Sequence, residues 1–424
     1  MKKLVFVISL FSITLISAQD TYLQCGNIVD TESGKVLKEK TIVVSGNKIK
    51  SIQNGFVNGS DNDKTIDLKT KTVLPGFIDM HVHIEGESSP TRYIERFTKN
   101  PADVAFQSTV YAERTLMAGF TTVRDLGGSG VNIALRNAIN KGTIKGPRIF
   151  TAGKTIASTG GHGDPTNGMR EDLRGNPGPK EGVVNSPEDG KKAVRQRYKD
   201  GSDVIKITAT GGVMSVAKNG QNPQFTIEEI KAIVATAKDY GMLTAAHAHG
   251  DEGMRRAVVA GIKTIEHGTL MEEATMDLMV KHNTYLVPTI SAGKAAAKMA
   301  DIPGYLPPVV AKKAREIGPV SQVTFGKAYK KGVPIAFGTD AGVSPHGENG
   351  KEFGFMHEAG MPIMKTIQAA TVTNADLLGM ANELGQLKEG FIADIVAVDE
   401  DPTKNVNTLE KVVFVMKEGV VYKQ

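Results

Sequence analysis

The chain has 424 residues, of which 40% are hydrophobic and 23% charged, with a formal net charge of +5. These near-ordinary values exclude a disordered, collagen-like or coiled-coil chain. With no Trp and 6% aromatics there is no platform for stacking bases. The single cysteine, Cys25, excludes an internal disulfide and a cysteine-based zinc-finger or iron–sulfur framework.

Lys2 and Lys3 precede the apolar run LVFVISLFSITLISA. A basic start followed by a short apolar run predicts an export signal over residues 1–18, cleaved after Ala18. The run is short for a bilayer span, and no later stretch is apolar enough to span. The expectation is therefore an exported protein, periplasmic or secreted. The small positive charge is spread out, so no nucleic-acid partner is expected.

Residues 19–74 read as short strands and turns. Thr41–Ser45 and Lys48–Ile52 flank Gly46-Asn47, a hairpin-type turn. The C-terminal part, 376–424, has the same character, with strands over Asp394–Val398, Lys411–Met416 and Val420–Tyr422. A small β-sandwich built from both chain ends is predicted.

The middle, 75–375, alternates apolar runs with helical stretches, which predicts parallel βα units. Eight strands are expected: Val73–His83, Thr121–Asp125, Arg148–Gly153, Asp203–Thr208, Leu243–His247, Thr264–His267, Tyr285–Thr289 and Ile335–Asp340. Thr226-Ile-Glu-Glu229 is a capping-box pattern that opens a helix to Tyr240, closed by Gly241. Ser186-Pro187 opens another, ending near Gly201. Eight such units fit an α/β chain with a (β/α)8 TIM barrel. An open doubly wound sheet is the alternative, weakened by the missing G-x-G-x-x-G turn. Loops 154–185 and 209–225, and the partly helical segment 290–330, would lie at the barrel mouth.

Chemistry-bearing residues gather at the predicted strand ends. His81 and His83 end the first strand, and side chains at i and i+2 share one face. His247 and His249 end the fifth, His267 the sixth and Asp340 the eighth. Five of nine histidines and an aspartate at strand tips point to a metal site, and these donors suit zinc or a similar divalent ion. Lys206 stands in the middle of an apolar fourth strand. A lysine there either snorkels to water or pairs with an acid. Beside divalent ions an unpaired ammonium is costly, whereas a CO2-derived carbamate on Lys206 is anionic and could bridge two metals. His162, in the glycine-rich loop after strand three, is a candidate substrate contact. His346 and Tyr285 are weaker candidates. His282 reads as a helix C-terminal residue and His357 as structural. No fixed cation for a substrate carboxylate stands out in the sequence; Arg92, Arg170 and Arg174 are the arginines nearby.

The order HxH, Lys, His, His, Asp over strands one, four, five, six and eight resembles the binuclear amidohydrolase superfamily. VLPGFIDMHVHI, TTVRDLGG, KITATGG, AAHAHG, IEHGT, GTDAG and GQLKEGFIADIVAV are similar to its imidazolonepropionase-like, Xaa-Pro dipeptidase-like branch. The resemblance implies a barrel with a terminal β-sandwich and two metal ions. His81, His83 and Asp340 would hold one ion, His247 and His267 the other, with carboxylated Lys206 between them. It matches His247 rather than His249 to the strand-five ligand, leaving His249 and His162 for substrate. It further implies cleavage of a dipeptide or N-acyl amino acid, with the ochratoxin A amide among the candidates, with Asp340 as general acid–base, in a homo-oligomer. A mononuclear cyclic-amide hydrolase such as an imidazolonepropionase is the alternative, and Lys206 counts against it.

Overall fold

The computed structural model describes residues 19–424, and the expected export signal lies outside them. The N-terminal part forms β1 (Thr21–Asp30), β2 (Lys35–Ser45), β3 (Lys48–Asn54) and β4 (Lys64–Pro75). Gly46, at φ +58°, makes the two-residue turn between β2 and β3, where Ser45 pairs with Lys48. Seven barrel strands follow: β5 (Phe77–Val82), β6 (Phe120–Asp125), β7 (Arg148–Thr151), β8 (Val204–Thr208), β9 (Leu243–Gly250), β10 (Thr264–Leu270) and β11 (Tyr285–Val287). The chain ends in β12 (Ile395–Val398), β13 (Val412–Lys417) and β14 (Val420–Lys423).

Both chain ends build one sheet, ordered β14-β13-β12-β4-β1-β2-β3. It curls until Lys48 bridges Ile392, closing its apolar face over Leu23, Ile42, Ile66, Val73 and Phe414. Cys25 is buried in this core, where burial pushes its thiol up to about 12.

The expected single strand Val73–His83 is two strands, β4 in the terminal sheet and β5 in the barrel. The amide of Gly76 donates to Asp394 in one sheet (2.8 Å) and that of Phe77 to Gly119 beside the other (3.0 Å). A Cβ on Gly76 would stand 2.2 Å from Thr121 Oγ1, so only glycine fits this changeover.

In the barrel, β5-β6-β7 and β11-β10-β9-β8 run parallel as two ladders. Bridges of Ile156 with Ile207 and Leu286 with Ile335 close the gaps. The expected eighth strand, 335–340, is not a continuous strand. It is held by the bridges Leu286–Ile335 and Val82–Ala341 and by amide bonds Met80→Phe337 (3.0 Å) and Asp340→His81 (2.7 Å). Asp340, at φ +56°, breaks the extended run. The expected third and seventh strands are also shorter, ending at Thr151 and Val287.

The helices follow their sequence signals. Ser186 Oγ accepts the Asp189 amide and opens Pro187–Asp200, which Gly201 ends at φ +90°. The Thr226–Glu229 capping box opens Ile227–Asp239. The segment 290–330 is more helical than expected, with helices Ile290–Ala300, Pro308–Ile317 and the start of Ser321–Lys331. Phe77, Phe120, Phe337 and Phe353 pack together, with ring centroids 4.4–6.3 Å apart. Burying each contributes roughly 1.5–3 kcal/mol. This apolar core lets the strands carry polar residues at their other ends. Among the described residues no helix is long and apolar enough to cross a membrane.

Candidate metal centre

The strand order brings His81, His83, Lys206, His247, His249, His267 and Asp340 to one end of the barrel. All face a cavity of about 410 Å3. Asp340 Oδ1 lies 3.5 Å from His81 Nε2 and 3.4 Å from His83 Nε2. The ring of His267 is 5.1 Å from that of His81 and 4.6 Å from that of His247. Ligand-capable atoms of His81, His267 and Asp340 lie within 4.8 Å of one another, as do those of His247, His249 and His267. His267 thus belongs to both groups, and His249 stands as near to the cluster as His247.

Backbone distortion aims these groups. Of six non-glycine residues at positive φ among those described, His267, Thr289 and Asp340 surround the cavity. A positive φ costs a non-glycine residue on the order of 1–3 kcal/mol, so strain is concentrated at the site. At His267 it lets two consecutive residues, Glu266 and His267, both face His81.

Each imidazole is oriented by a neighbour. His81 Nδ1 meets Glu266 Oε2 at 2.9 Å, and His83 Nδ1 donates to Gly127 O at 2.8 Å. His267 Nδ1 meets Thr289 Oγ1 at 2.6 Å, and His249 Nδ1 meets Thr269 Oγ1 at 2.9 Å. These leave Nε2 toward the cavity. His247 is reversed, with Nε2 donating to Gly211 O at 3.1 Å, which leaves Nδ1. Glu266 is itself fixed, accepting from Arg124 Nη2 at 2.8 Å and Thr264 Oγ1 at 2.5 Å. Asp79 ties strand one to the eighth segment, accepting the amides of His81 and Thr339 and side-chain bonds from Thr339 and Asn349. These supporting groups follow the pattern by which outer residues orient metal ligands.

Burial holds the imidazoles neutral, the state in which a histidine ligates. It drives His81, His247 and His267 well below the usual histidine range, and His83, His162 and His249 to about 3. Burial pushes Asp340 up to about 7, against the pull of Lys206. It brings the Lys206 amine down to about 8, against Glu266 and Asp340.

The donor set fits a divalent ion. His81 Nε2 and Asp340 Oδ1 are buried without a hydrogen-bond partner among the described residues. Two lone-pair atoms facing each other at 3.5 Å call for a cation or proton between them. The Lys206 amine likewise makes no hydrogen bond or ion pair among the described residues, although the residue is buried.

His162 enters the same cavity, stacked on His247 at 4.3 Å, and its Nδ1 is also unpartnered among the described residues. The other sequence candidates separate. Arg92 lines the cavity and donates to Gly342 O at 3.1 Å. Arg170 and Arg174 are exposed and pair with Asp172 and Glu171. His346 is locked between Tyr111 and Gly86 O, and Tyr285 begins β11 at the end away from the mouth. His282 closes its helix, and His357 bonds Met361 O at 3.0 Å. The sequence reading missed Asp79, Arg124 and Glu266. Their signal was a charged residue inside a strand: Asp79 in FIDMHV, Arg124 in FTTVRD and Glu266 in TIEHGTL.

A model of the amidohydrolase family matches residues 72–423. A crystal structure of a Xaa-Pro dipeptidase with methionine in its active site is similar, with a TM-score of 0.93 and 51% identity, covering 96% of this chain and 100% of that one. A prolidase complexed with N-methylphosphonate-L-proline has a TM-score of 0.88 and 32% identity, covering 96% and 100%. Ochratoxinase of Aspergillus niger is 31% identical over 372 residues, 84% of this chain and 76% of that protein. With a family match over most of its length, and with the histidines and aspartate of its barrel gathered at one mouth, the chain belongs to the amidohydrolase family.

Proposed function

We propose that the chain is a binuclear metal-dependent amidohydrolase that cleaves the amide of a dipeptide or N-acyl amino acid. The observation that carries this reading is the convergence of unpartnered His81 Nε2 and Asp340 Oδ1 with His83, His247, His267 and the unpaired Lys206 in one cavity. The likeness to a Xaa-Pro dipeptidase, a prolidase and ochratoxinase supports the substrate class.

His81, His83 and Asp340 would hold one ion and His247 and His267 the other, with zinc the expected metal. Lys206 is read as carboxylated: its neutral amine adds to CO2, forming an N–C bond and releasing one proton. Bound metals would polarise the amide carbonyl and acidify water. Asp340 accepts the proton of the attacking water and returns it to the leaving nitrogen, as general base and then general acid. Glu266 and Asp79 hold the first strand in register for this, and His162 and His249 face the substrate. Arg92 stands on the cavity wall with no acidic partner among the described residues.

The test is a hydrolysis screen of metal-loaded protein. It covers Xaa-Pro dipeptides, dipeptides with basic or aromatic C-termini, N-acyl amino acids and ochratoxin A. Cleavage of at least one class is expected, and cleavage of none would remove the assignment. Two metals per chain are expected, whereas one would favour a mononuclear cyclic-amide hydrolase. The same reading includes export through residues 1–18 and a homo-oligomer. The exposed Ile94, Phe97, Phe106 and Val110 support the latter. N-terminal sequencing of exported protein and light scattering test these two points.

A further inference from the structure

Another buried lysine lies on a helix beside the barrel mouth. Lys313, in the helix Pro308–Ile317, is 5% exposed. Its ammonium donates to three carbonyl oxygens: Gly212 at 2.7 Å, Ser215 at 2.7 Å and Ala217 at 2.8 Å. All three donors are thereby used, and no acid pairs with them among the described residues.

The three acceptors belong to one stretch of the loop after β8. On its other side this loop meets the site. Gly211 O takes the bond from His247 Nε2 at 3.1 Å. Gly212 packs so closely on His162 that a Cβ there would stand 2.3 Å from the ring. Val213, Met214 and Val216 form part of the cavity wall. A second tether, Tyr93 Oη to Met214 O at 2.7 Å, holds the same stretch from the helix Arg92–Thr98.

We infer that Lys313 is a positioning residue that pins residues 212–217 and so fixes both the substrate wall and the backbone against His162 and His247. Carbonyl groups are good acceptors but cannot order a loop alone; one ammonium shared among three of them removes much of the loop's freedom. The inference rests on the proposed amide hydrolysis for its kinetic readout.

The test uses full-length, metal-loaded Lys313→Met. The substrates are two dipeptides that differ only in having a small or a large C-terminal residue. KM should rise about tenfold with a smaller change in kcat, and the preference between the two substrates should shrink. Amide hydrogen exchange at 211–217 should accelerate while exchange in β1 and β2 stays as in the wild type. Tyr93→Phe, which removes the other tether, should act in the same direction by about threefold, and it covers the case in which Lys313→Met does not fold. Unchanged KM, preference and loop exchange in the folded variants would overturn the inference. Where the wild-type protein cleaves neither dipeptide, the proposed function still stands or falls with the full hydrolysis screen, and loop exchange alone decides the role of Lys313.

Discussion

The terminal sheet and the barrel mouth are built on opposite terms. In the terminal sheet, Leu23, Ile42, Ile66 and Phe414 bury apolar surface, and its strands pair along most of their length, with bulges such as that between Cys25 and Asn27. At the mouth, buried groups are imidazoles, carboxylates and amines, three residues carry left-handed backbone, and lone pairs face each other unpaired. The first region contributes stability; the second holds polar groups at a cost that a bound cation would offset. Two of the buried lysines make the contrast locally. Lys313 has three partners and reads as structural support, whereas the Lys206 amine has none among the described residues and reads as a reactive group.

This contrast can be broken in several ways. Removing metal with a chelator should abolish hydrolysis and lower the thermal midpoint, and added zinc should restore both. A ligand at about a thousand times its Kd stabilises by about 4 kcal/mol, so calorimetry can measure the loss. Asp340→Asn should lower kcat by about 10^2–10^4-fold with the terminal sheet intact, checked by steady-state kinetics and circular dichroism. Undiminished turnover would contradict its acid–base role. Ile66→Ala should do the reverse, costing about 2–5 kcal/mol in denaturant unfolding while kcat stays within about twofold.

The smallest expected effect concerns pH. In the metal-free protein the unfolded imidazoles of His162 and His249 bind protons near 6.5, whereas the buried ones resist until about 3. The unfolded state therefore gains protons first, and this contribution to stability should fall as the pH drops from 6.5 toward 3. Burial pushes Asp79 up to about 6 and Asp125, Asp340 and Glu352 up to about 7. These carboxyls bind protons in the folded state over the same range and work the other way, so the imidazole contribution is read by difference. In metal-free His249→Gln the change in thermal midpoint between pH 7 and pH 5 should shift by about 2 °C in the stabilising direction relative to the wild type, and an identical change would mean that this imidazole is not held neutral.

Much of this was legible in the chain. The strand-tip histidines, Asp340 and Lys206 stand out because they interrupt apolar runs, and Ser186, Thr226, Gly201 and Gly46 mark their turns through local hydrogen bonding and φ alone. The changeover at Gly76 was not legible, because it depends on Thr121 and Asp394 arriving from distant parts of the chain. The same holds for the broken eighth strand and for Lys313, an ordinary-looking lysine in a helix.

Residue type and spacing by themselves determined the alternating βα order and which donors stand at strand ends, since periodicity and capping act over a few residues. Only the tertiary structure decided which nitrogen each imidazole presents, that Glu266 supports His81, and that Arg92 rather than Arg170 or Arg174 reaches the cavity. Those outcomes depend on partners up to 250 residues away, which packing brings within hydrogen-bond reach and local sequence does not encode.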